Sequence, residues 1–193
     1  MKVPTITFCL FAAMQGQAQA VVIGSGEQRT IDATEQTTDW QLSGQSALTM
    51  NRATATTINL SNSTLNMNSG SMANSVHAVQ GSTVNMDAAR VTSSDSLYGA
   101  VRLDSSKAVI NNSTLTNTSG VGLQAFGFVG TSSGSSAEVS NSTISGAIGG
   151  AEAFTGSQLH FKQNSLVQGT GVGAFGLSLA GATATATQST IIG

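Results

Sequence analysis

Two glycine-rich stretches of the chain match patterns that carry chemistry in other proteins. Residues 130–134 (GTSSG) fit G-x-S-x-G, in which a serine nucleophile occupies a strand-to-helix turn beside a base. Residues 171–176 (GVGAFG) fit the dinucleotide-binding turn, which needs a following helix and a downstream acid for the ribose. No helical pattern follows either stretch, and serine and glycine are abundant throughout. We therefore predict no nucleophile or cofactor site here, and we expect residues 171–176 to form a turn before a strand at 177–179.

The titratable residues are few and scattered. His77 and His160 are the two histidines, and we interpret both as outward strand residues in different repeats. A polysaccharide lyase or hydrolase would need acidic and basic side chains gathered on one face. The candidates form only a sparse group: Asp87, Arg90, Arg102, Asp104 and Lys107. The sequence therefore predicts no catalytic, cofactor-binding or metal-ligating residue, and no enzymatic activity.

The composition favours β structure. Ser, Thr, Asn and Gly number 27, 24, 12 and 22 among 193 residues, and these types disfavour helix interiors. Seven Lys and Arg stand against nine Asp and Glu, a net charge of −2, so the chain has no basic field to bind a nucleic acid. Charged residues make up only 8% of the chain and the mean hydropathy is +0.10, which argues against disorder driven by charge.

The N-terminus has the pattern of an export signal. Lys2 precedes an apolar run at 6–14, and an A-x-A cleavage sequence follows at 18–20. We predict a secretory signal peptide at 1–20 and a mature chain that starts at Val21, with a buried N-terminal strand as the alternative. The single cysteine, Cys9, lies in the predicted signal, so the mature chain would have no disulfide and no thiolate site.

An internal repeat is the strongest signal in the chain. The phrase Asn-Ser-Thr-Leu at 62–65 recurs at 112–115, as Asn-Ser-Thr-Ile at 141–144, and more loosely at 88–91, 163–166 and 188–191. The apolar residues that end these phrases are spaced by 22 to 29 residues, with a mean of about 25. These end-points are Leu65, Val91, Leu115, Ile144, Leu166 and Ile191.

Apolar residues also recur seven and five positions before each end-point, and a two-residue step is strand periodicity. The pairs are Ile58 and Leu60, Val84 and Met86, Ala108 and Ile110, Ala137 and Val139, Leu159 and Phe161, and Ala184 and Ala186. A second apolar recurrence follows each phrase, usually after a small-residue turn, and comprises Val79, Leu103, Phe126, Phe154 and Leu179. Each repeat thus holds about three short strands, which bury their apolar faces only by stacking on the next repeat.

This pattern predicts an all-β parallel β-helix with coils of about 25 residues, three short strands in each, and small polar residues outward. Residues 130–136 (GTSSGSS) are interpreted as an insertion in a turn. A β-sandwich is the structural alternative, but it does not explain why the same residue types recur in phase.

A carboxamide recurs three positions before the end-point in five of the six repeats: Asn62, Asn112, Asn141, Gln163 and Gln188, with Ala88 in the sixth. Stacked at a coil spacing of about 4.8 Å, such side chains can form a hydrogen-bonded ladder. The alternative is that Asn simply favours turns. The shared phase favours the ladder.

Residues 21–50 differ from the rest of the chain. They contain four of the nine acidic residues and the only tryptophan, Trp40. A charged, atypical first unit is characteristic of a solenoid cap. We therefore predict a capping segment at 21–50 and β-helix repeats at 51–193, and we interpret Trp40 as a packed cap residue rather than a ligand platform.

The order of these features resembles the start of a pertactin-like autotransporter passenger. After the predicted signal come Gly-Ser-Gly-Glu at 24–27, Trp-x-Leu-Ser-Gly at 40–44 and the Asn-Ser-Thr-Leu repeats, so the resemblance covers about residues 21–193. It implies a right-handed parallel β-helix, exported to the surface of a Gram-negative cell by a C-terminal β-barrel translocator, with an adhesin or virulence role. The chain departs from the family because it has no set of barrel strands with aromatic girdles and no Arg-Gly-Asp tripeptide, so adhesion is expected by analogy alone.

Three functions are therefore open: a surface-displayed adhesin-type scaffold for a host surface ligand or glycan, a glycan-cleaving β-helix enzyme, and a passive stalk. The last repeat has no returning strand or charged cap after Ile191, and unpaired strand edges are templates for another chain. We therefore expect the repeats to be incomplete at the C-terminus, as in a fragment of a longer passenger or a truncated gene product, and to associate end to end.

Overall fold

The structure is a computed structural model that describes residues 20–127 and 134–193. The predicted signal at 1–20, apart from Ala20, and the serine of the G-x-S-x-G segment at 130–134 lie outside the described residues. Within those two ranges the secondary structure is β throughout, in 21 strands. No helix in the described part of the chain is long and apolar enough to span a bilayer.

The strands are short and follow one another closely along the chain. They are β1 (Val21–Ile23), β2 (Gln28–Asp32), β3 (Trp40–Ser43), β4 (Ala47–Asn51), β5 (Thr54–Ser61), β6 (Thr64–Met67), β7 (Met72–Val79), β8 (Thr83–Asp87), β9 (Arg90–Ser93), β10 (Val101–Asp104), β11 (Lys107–Asn111), β12 (Thr114–Asn117), β13 (Val121–Phe126), β14 (Ser136–Ser140), β15 (Thr143–Gly146), β16 (Gly149–Phe154), β17 (Gln158–Lys162), β18 (Leu166–Gly169), β19 (Phe175–Ala180), β20 (Thr183–Thr187) and β21 (Thr190–Ile192).

Every strand pairs in parallel with its equivalent in the next coil, which confirms the predicted parallel β-helix. Sheet B has the order β2-β4-β6-β8-β11-β14-β17-β20. Sheet A runs through β1, β3, β5 and β7 and then divides. One branch continues through β10, β13, β16 and β19, and the other through β9, β12, β15, β18 and β21. The strands β1 and β2, from the segment predicted as a cap, already pair in this register with β3 and β4.

Coil length changes where sheet A divides. In the short-coil region, β1 to β8, paired residues of sheet A are 18 or 19 apart, as Ile58 is from Val76. In the long-coil region, β9 to β21, the spacing is 22 to 29. The residues of β7 split between two partners, because Ala73 pairs with Val91 in β9 while Val76 pairs with Val101 in β10. The prediction of three strands in a coil of about 25 residues therefore holds for the long coils, whereas the short coils have two strands.

The core is a set of inward columns in which each residue stacks on its counterpart one coil away. One column of eight lies in sheet B and consists of Ile31, Met50, Met67, Met86, Ile110, Val139, Phe161 and Ala186. Ten of the twelve residues predicted to point inward are buried. The exceptions, Ala184 and Ala186, are half-buried and exposed, because they lie in the last coil and no further coil covers them.

The predicted phase is wrong at four of its positions. Ile58 and Leu60 point inward, but they stack on Val76 and Ala78 in sheet A rather than on Val84 and Met86. Leu65 stacks on Val84 and belongs to sheet B, and the fifth end-point is Val167 rather than Leu166, since Val167 pairs with Ile144 and Ile191. The phrase Asn-Ser-Thr recurs at both kinds of corner, so similar letters do not always occupy the same column.

The carboxamide positions share a left-handed backbone. All six, Asn62, Ala88, Asn112, Asn141, Gln163 and Gln188, have φ between 48° and 51°. Asn tolerates this region better than most residues do. Only Asn141 and Gln163 contact each other through their amides, at 3.5 Å, while Asn112 donates to Asp87 Oδ1 at 3.0 Å. The turn conformation therefore accounts for these residues better than a continuous ladder does.

Most of the serines that follow corner turns lie inside, not outside as predicted. Alanine replaces serine after Ala88, and Ser189 of the last coil is only half-buried. Two columns of serines, one at each corner between the sheets, are at most 4% exposed: Ser46, Ser63, Ser82, Ser106, Ser135 and Ser157, and Ser71, Ser113, Ser142 and Ser165. Several accept a backbone hydrogen bond from the neighbouring coil, as Ser142 Oγ does from Ser113 N at 3.0 Å. They satisfy corner amides that the sheet ladders leave unpaired.

Candidate functional site

The surface departs from its Ser/Thr pattern where the short coils give way to long ones. The seven residues at 94–100 are inserted there between β9 and β10, and they form a well-anchored loop. Asp95 Oδ1 accepts hydrogen bonds from the backbone N–H of Leu97 at 2.8 Å and of Tyr98 at 3.1 Å. The buried Asn117 donates to the carbonyls of Asp95 and Tyr98 at 2.8 and 2.9 Å. The loop is thus fixed at both ends by side chains of the protein.

Gln124 ties this loop to the outer face of sheet A. Its side-chain oxygen accepts the N–H of Gly99 at 2.6 Å, and its amide nitrogen donates to Glu152 Oε1 at 2.6 Å. Gln124 is only 5% exposed because the loop covers it. The Glu152 carboxylate, one coil further on, is therefore oriented by the same side chain that holds the loop.

An arginine lies between two aromatic rings beside this loop. The guanidinium carbon of Arg102 is 5.0 Å from the ring centroid of Tyr98 and 4.5 Å from that of Phe126. Phe126 stacks on Phe154 of the next coil at 4.8 Å with an interplanar angle of 8°. Asp104 accepts two hydrogen bonds from Arg102, at 2.9 and 3.2 Å. We call His77, Tyr98, Arg102, Phe126 and Phe154 the aromatic face.

His77 closes the short-coil end of the aromatic face. Its ring meets Tyr98 edge to face at 5.0 Å. Burial and the positive charge of Arg102 lower the pKa of His77, against smaller opposing effects of Asp104 and Asp95, so the imidazole favours the neutral form. Its buried Nε2 atom has no hydrogen-bond partner among the described residues. Beside the ring, a shallow hollow of about 330 Å³ extends over the outer face of β3 and β5.

Strand alternation explains why these aromatic rings face outward. In β13, Leu123 and Ala125 pair inward with Ala151 and Ala153 of β16. Each following residue, Phe126 or Phe154, therefore points out. The second apolar recurrence predicted from the sequence does not form one inward column. Leu103 and Leu179 lie in the inward column, whereas Val79, Phe126 and Phe154 lie one residue beyond it and point outward.

The sequence analysis missed the aromatic face, although a signal for it exists. Gln124 and Glu152 are polar residues flanked on both sides by apolar ones, so they mark the outward side of their strands. An aromatic residue two positions after each of them lies on that same outward side. Tyr98 and the loop that carries it have no periodic signal of their own.

The structure brings together only one pair of the predicted charged candidates, Arg102 and Asp104. His160 is an outward residue of sheet B, as predicted, and its Nδ1 contacts Thr185 Oγ1 at 2.9 Å. The other three candidates lie at separate places along the coils: Asp87 at the end of β8, Arg90 at the start of β9 and Lys107 at the start of β11.

The remaining sequence motifs behave as turns or as core. The predicted turn before a strand is confirmed at 171–173, where Gly173 has φ of 72°, but β19 begins at Phe175, two residues earlier than predicted. Trp40 is 1% exposed and packs in the core, so it offers no platform to a ligand. No group of three metal-ligating side chains occurs among residues 20–127 and 134–193.

The aromatic face presents oriented polar groups beside partly exposed aromatic rings. Arg102 forms a bidentate ion pair with Asp104, and the nearby Glu152 carboxylate accepts a hydrogen bond from Gln124. These groups are therefore oriented before any ligand arrives. Tyr98 is 44% exposed and Leu97, at the loop tip, 76% exposed. The comparisons of this chain with protein-family models, curated proteins and solved structures found no significant match.

Proposed function

We propose that the chain is an exported, surface-displayed binding scaffold, a passenger segment of the autotransporter type whose aromatic face contacts a host surface ligand. The observation that carries the proposal is the aromatic face itself. Tyrosine and arginine are the residues most enriched at binding hot spots. Here Tyr98 and Arg102 lie together on a surface rich in small polar side chains.

Two features support export and display. The N-terminal pattern of a charge, an apolar run and an A-x-A site is that of a signal peptide, and the first strand begins at Val21, directly after that site. The mature chain would contain no cysteine, so its stability rests on stacked coils rather than on disulfides. In this proposal a β-barrel translocator, encoded beyond residue 193 or separately, carries the segment to the outer membrane of a Gram-negative cell.

A role in recognition explains the aromatic face better than a role as a passive stalk does. A stalk needs only stacked coils with a regular Ser/Thr surface, and the rest of the β-helix already provides these. Residues 94–98 of the loop are exposed and add nothing to the core, yet Asn117 and Gln124 are both buried in holding them. Buried polar side chains that anchor an exposed loop are typical of a functional surface on a rigid scaffold.

Binding of the fluorescently labelled full chain to epithelial cell monolayers tests this proposal. The double variant Arg102→Gln/Asp104→Asn removes the ion pair of the aromatic face, and Lys162→Gln/Glu138→Gln removes the exposed pair on sheet B, which joins at 3.1 Å. Both leave the net charge unchanged. We expect the first to weaken binding about tenfold or more and the second to leave it unchanged. Equal losses in both, or no cell binding by the parent chain, would contradict the proposal.

A further inference from the structure

The outer face of sheet B carries a polar trough that the aromatic face does not include. A hollow of about 400 Å³ lies over β4, β6, β8 and β11. Its polar side chains are almost all amides, with one hydroxyl and one carboxylate: Thr49, Asn66, Asn68, Asn85, Asp87 and Asn111. We call this set the asparagine trough. Its volume falls within the range of about 300–1,000 Å³ that is usual for small-molecule sites.

The amides of the trough are held in two rows that run from coil to coil. Asn85 Nδ2 donates to Asn66 Oδ1 at 2.9 Å, and Asn66 Nδ2 donates to Thr49 Oγ1 at 3.4 Å. In the second row Asn68 Nδ2 donates to Asn51 Oδ1 at 2.7 Å. Each amide has two N–H donors and an oxygen with two lone pairs, and each row contact uses one donor and one lone pair. The rows therefore fix the rotamers and still leave donors and acceptors for a ligand.

The trough continues along the axis of the β-helix. A second hollow of about 510 Å³ adjoins the first, because both are lined by Asn68, and it reaches Asp32 and Thr34 beside β2. Three successive coils place a hydrogen-bonding side chain at the same outward position, Thr49, Asn66 and Asn85, at a spacing of about 4.8 Å. A linear ligand with repeating hydroxyl groups would meet a similar set of partners at each coil, whereas a compact ligand would use only one of them.

The lining also defines the charge of the ligand. The 400 Å³ hollow has a single charged side chain, Asp87, and the adjoining 510 Å³ hollow adds one of each sign, Asp32 and Arg52, so the lining as a whole has an excess of one negative charge. An anionic chain would be repelled, and a cation would find one exposed carboxylate in each hollow instead of a coordination shell. Val109, 40% exposed at the far end, offers an apolar contact of the kind that the C–H face of a sugar ring needs.

From these contacts we propose that the asparagine trough binds a neutral, linear oligosaccharide aligned with the β-helix axis. The amides hydrogen-bond the sugar hydroxyls, Val109 packs against a ring face, and the pre-formed rows reduce the entropy lost when the side chains are ordered. This site lies on sheet B and depends neither on export nor on the aromatic face of sheet A. Its failure would therefore leave the proposed cell-binding role untouched.

Calorimetric titration of the full chain with maltohexaose, cellohexaose, laminarihexaose and chitohexaose, against hexagalacturonate as an anionic comparator, tests the proposal. We expect at least one neutral hexasaccharide to bind with a Kd tighter than about 1 mM and hexagalacturonate to bind more weakly. The variant Asn66→Thr/Asn85→Thr should weaken that binding about tenfold or more. The matched control is Asn59→Thr, which makes the same change at an outward position of sheet A.

Asp87→Asn provides a second test that removes only a charge from an exposed position. It should retain neutral binding and bring hexagalacturonate closer to the neutral sugars in affinity. The proposal is overturned if no neutral hexasaccharide binds, if the comparator binds best, or if Asn59→Thr weakens binding as much as the trough variant does. Far-UV circular dichroism of each variant confirms that a loss of binding is not a loss of fold.

Discussion

The short-coil and long-coil regions of this β-helix form the same two sheets, but they differ in the number of strands per coil and in the size of the side chains inside. In the short coils one long strand, such as β5 or β7, spans the whole of sheet A, and the core is filled by side chains such as Met50, Met67 and Ile58. In the long coils two strands share that sheet, and alanines line much of the inside, as at Ala125 and Ala153. A corner that the short coils lack must therefore be formed in every long coil.

Glycine makes that extra corner possible. At Gly146 an added Cβ would lie 2.2 Å from the carbonyl oxygen of Gly149 and 2.5 Å from that of Gly120. At Gly150 it would lie 2.7 Å from both Gln168 N and Gly176 O. Backbones approach so closely here that a side chain has no room. The third strand thus requires glycines at positions where a side chain would press against the backbone. It also forms a rim on which a loop and outward aromatic rings can be held.

The largest expected effect compares the two regions within one core column. Phe161 in a long coil and Met67 in a short coil are both fully buried in the same column of sheet B. Phe161→Ala should lower the free energy of unfolding by about 3–5 kcal/mol and Met67→Ala by about 2–5 kcal/mol. Urea denaturation measures both. A loss below about 1 kcal/mol for either would mean that its side chain is not in the core.

A smaller effect tests the glycine corner. Gly150→Ala should destabilise the chain by about 1–3 kcal/mol, because backbone and Val167 must shift to admit the methyl group. The control is Gly24→Ala in the short-coil region, where the nearest atom to an added Cβ is a flexible Glu27 oxygen at 3.6 Å. Thermal unfolding of the two variants should separate them, and equal midpoints would show that the long coils do not need close backbone contact.

The buried serines give the next effect. Ser142→Ala should cost about 1–3 kcal/mol, because it leaves the buried N–H of Ser113 without its acceptor. Ser189 follows the same corner in the last coil, where its hydroxyl bonds only Thr187 O at an exposed site. Ser189→Ala should therefore change the unfolding midpoint little. If Ser142→Ala were equally silent, the serine columns would be packing features without a hydrogen-bonding role.

The smallest effect concerns pH at the junction of the regions. Because the folded pKa of His77 is lowered, the neutral ring contributes stability that is fully present above the unfolded pKa of about 6.5 and is lost as pH falls through the folded value. NMR titration should place the pKa of His77 below the ordinary histidine value of about 6.5. Arg102→Gln should raise the pKa of His77, since it removes a nearby positive charge. A fall in the pKa of His77 on that substitution would show that Arg102 does not face the ring.

Much of this architecture could be predicted from the sequence, because burial on a strand repeats every second residue. That rule located two columns of sheet B, one from Val84 to Leu159 and one from Met86 to Phe161. The rule failed at Leu65, because the turn phrase recurs there at another corner, and at Leu166, because the inward position is shifted by one residue. It also failed at Phe126, because a large apolar side chain there points outward. The reason is a change in coil length. At β7 the spacing between paired residues rises from 18 to 25, and no local sequence pattern indicates where residues are inserted. The aromatic face lies at that change of phase.

The most direct test of the aromatic face as a binding surface is to cover it. In a Cys9→Ser background, Leu97→Cys places a single thiol at the exposed loop tip, and Thr185→Cys places one on the outer face of sheet B. Each is coupled to a bulky polyethylene glycol maleimide, and binding to epithelial cell monolayers is measured before and after coupling. The account predicts that coupling at position 97 abolishes binding while coupling at position 185 does not. Binding that survives coupling at position 97 would contradict it.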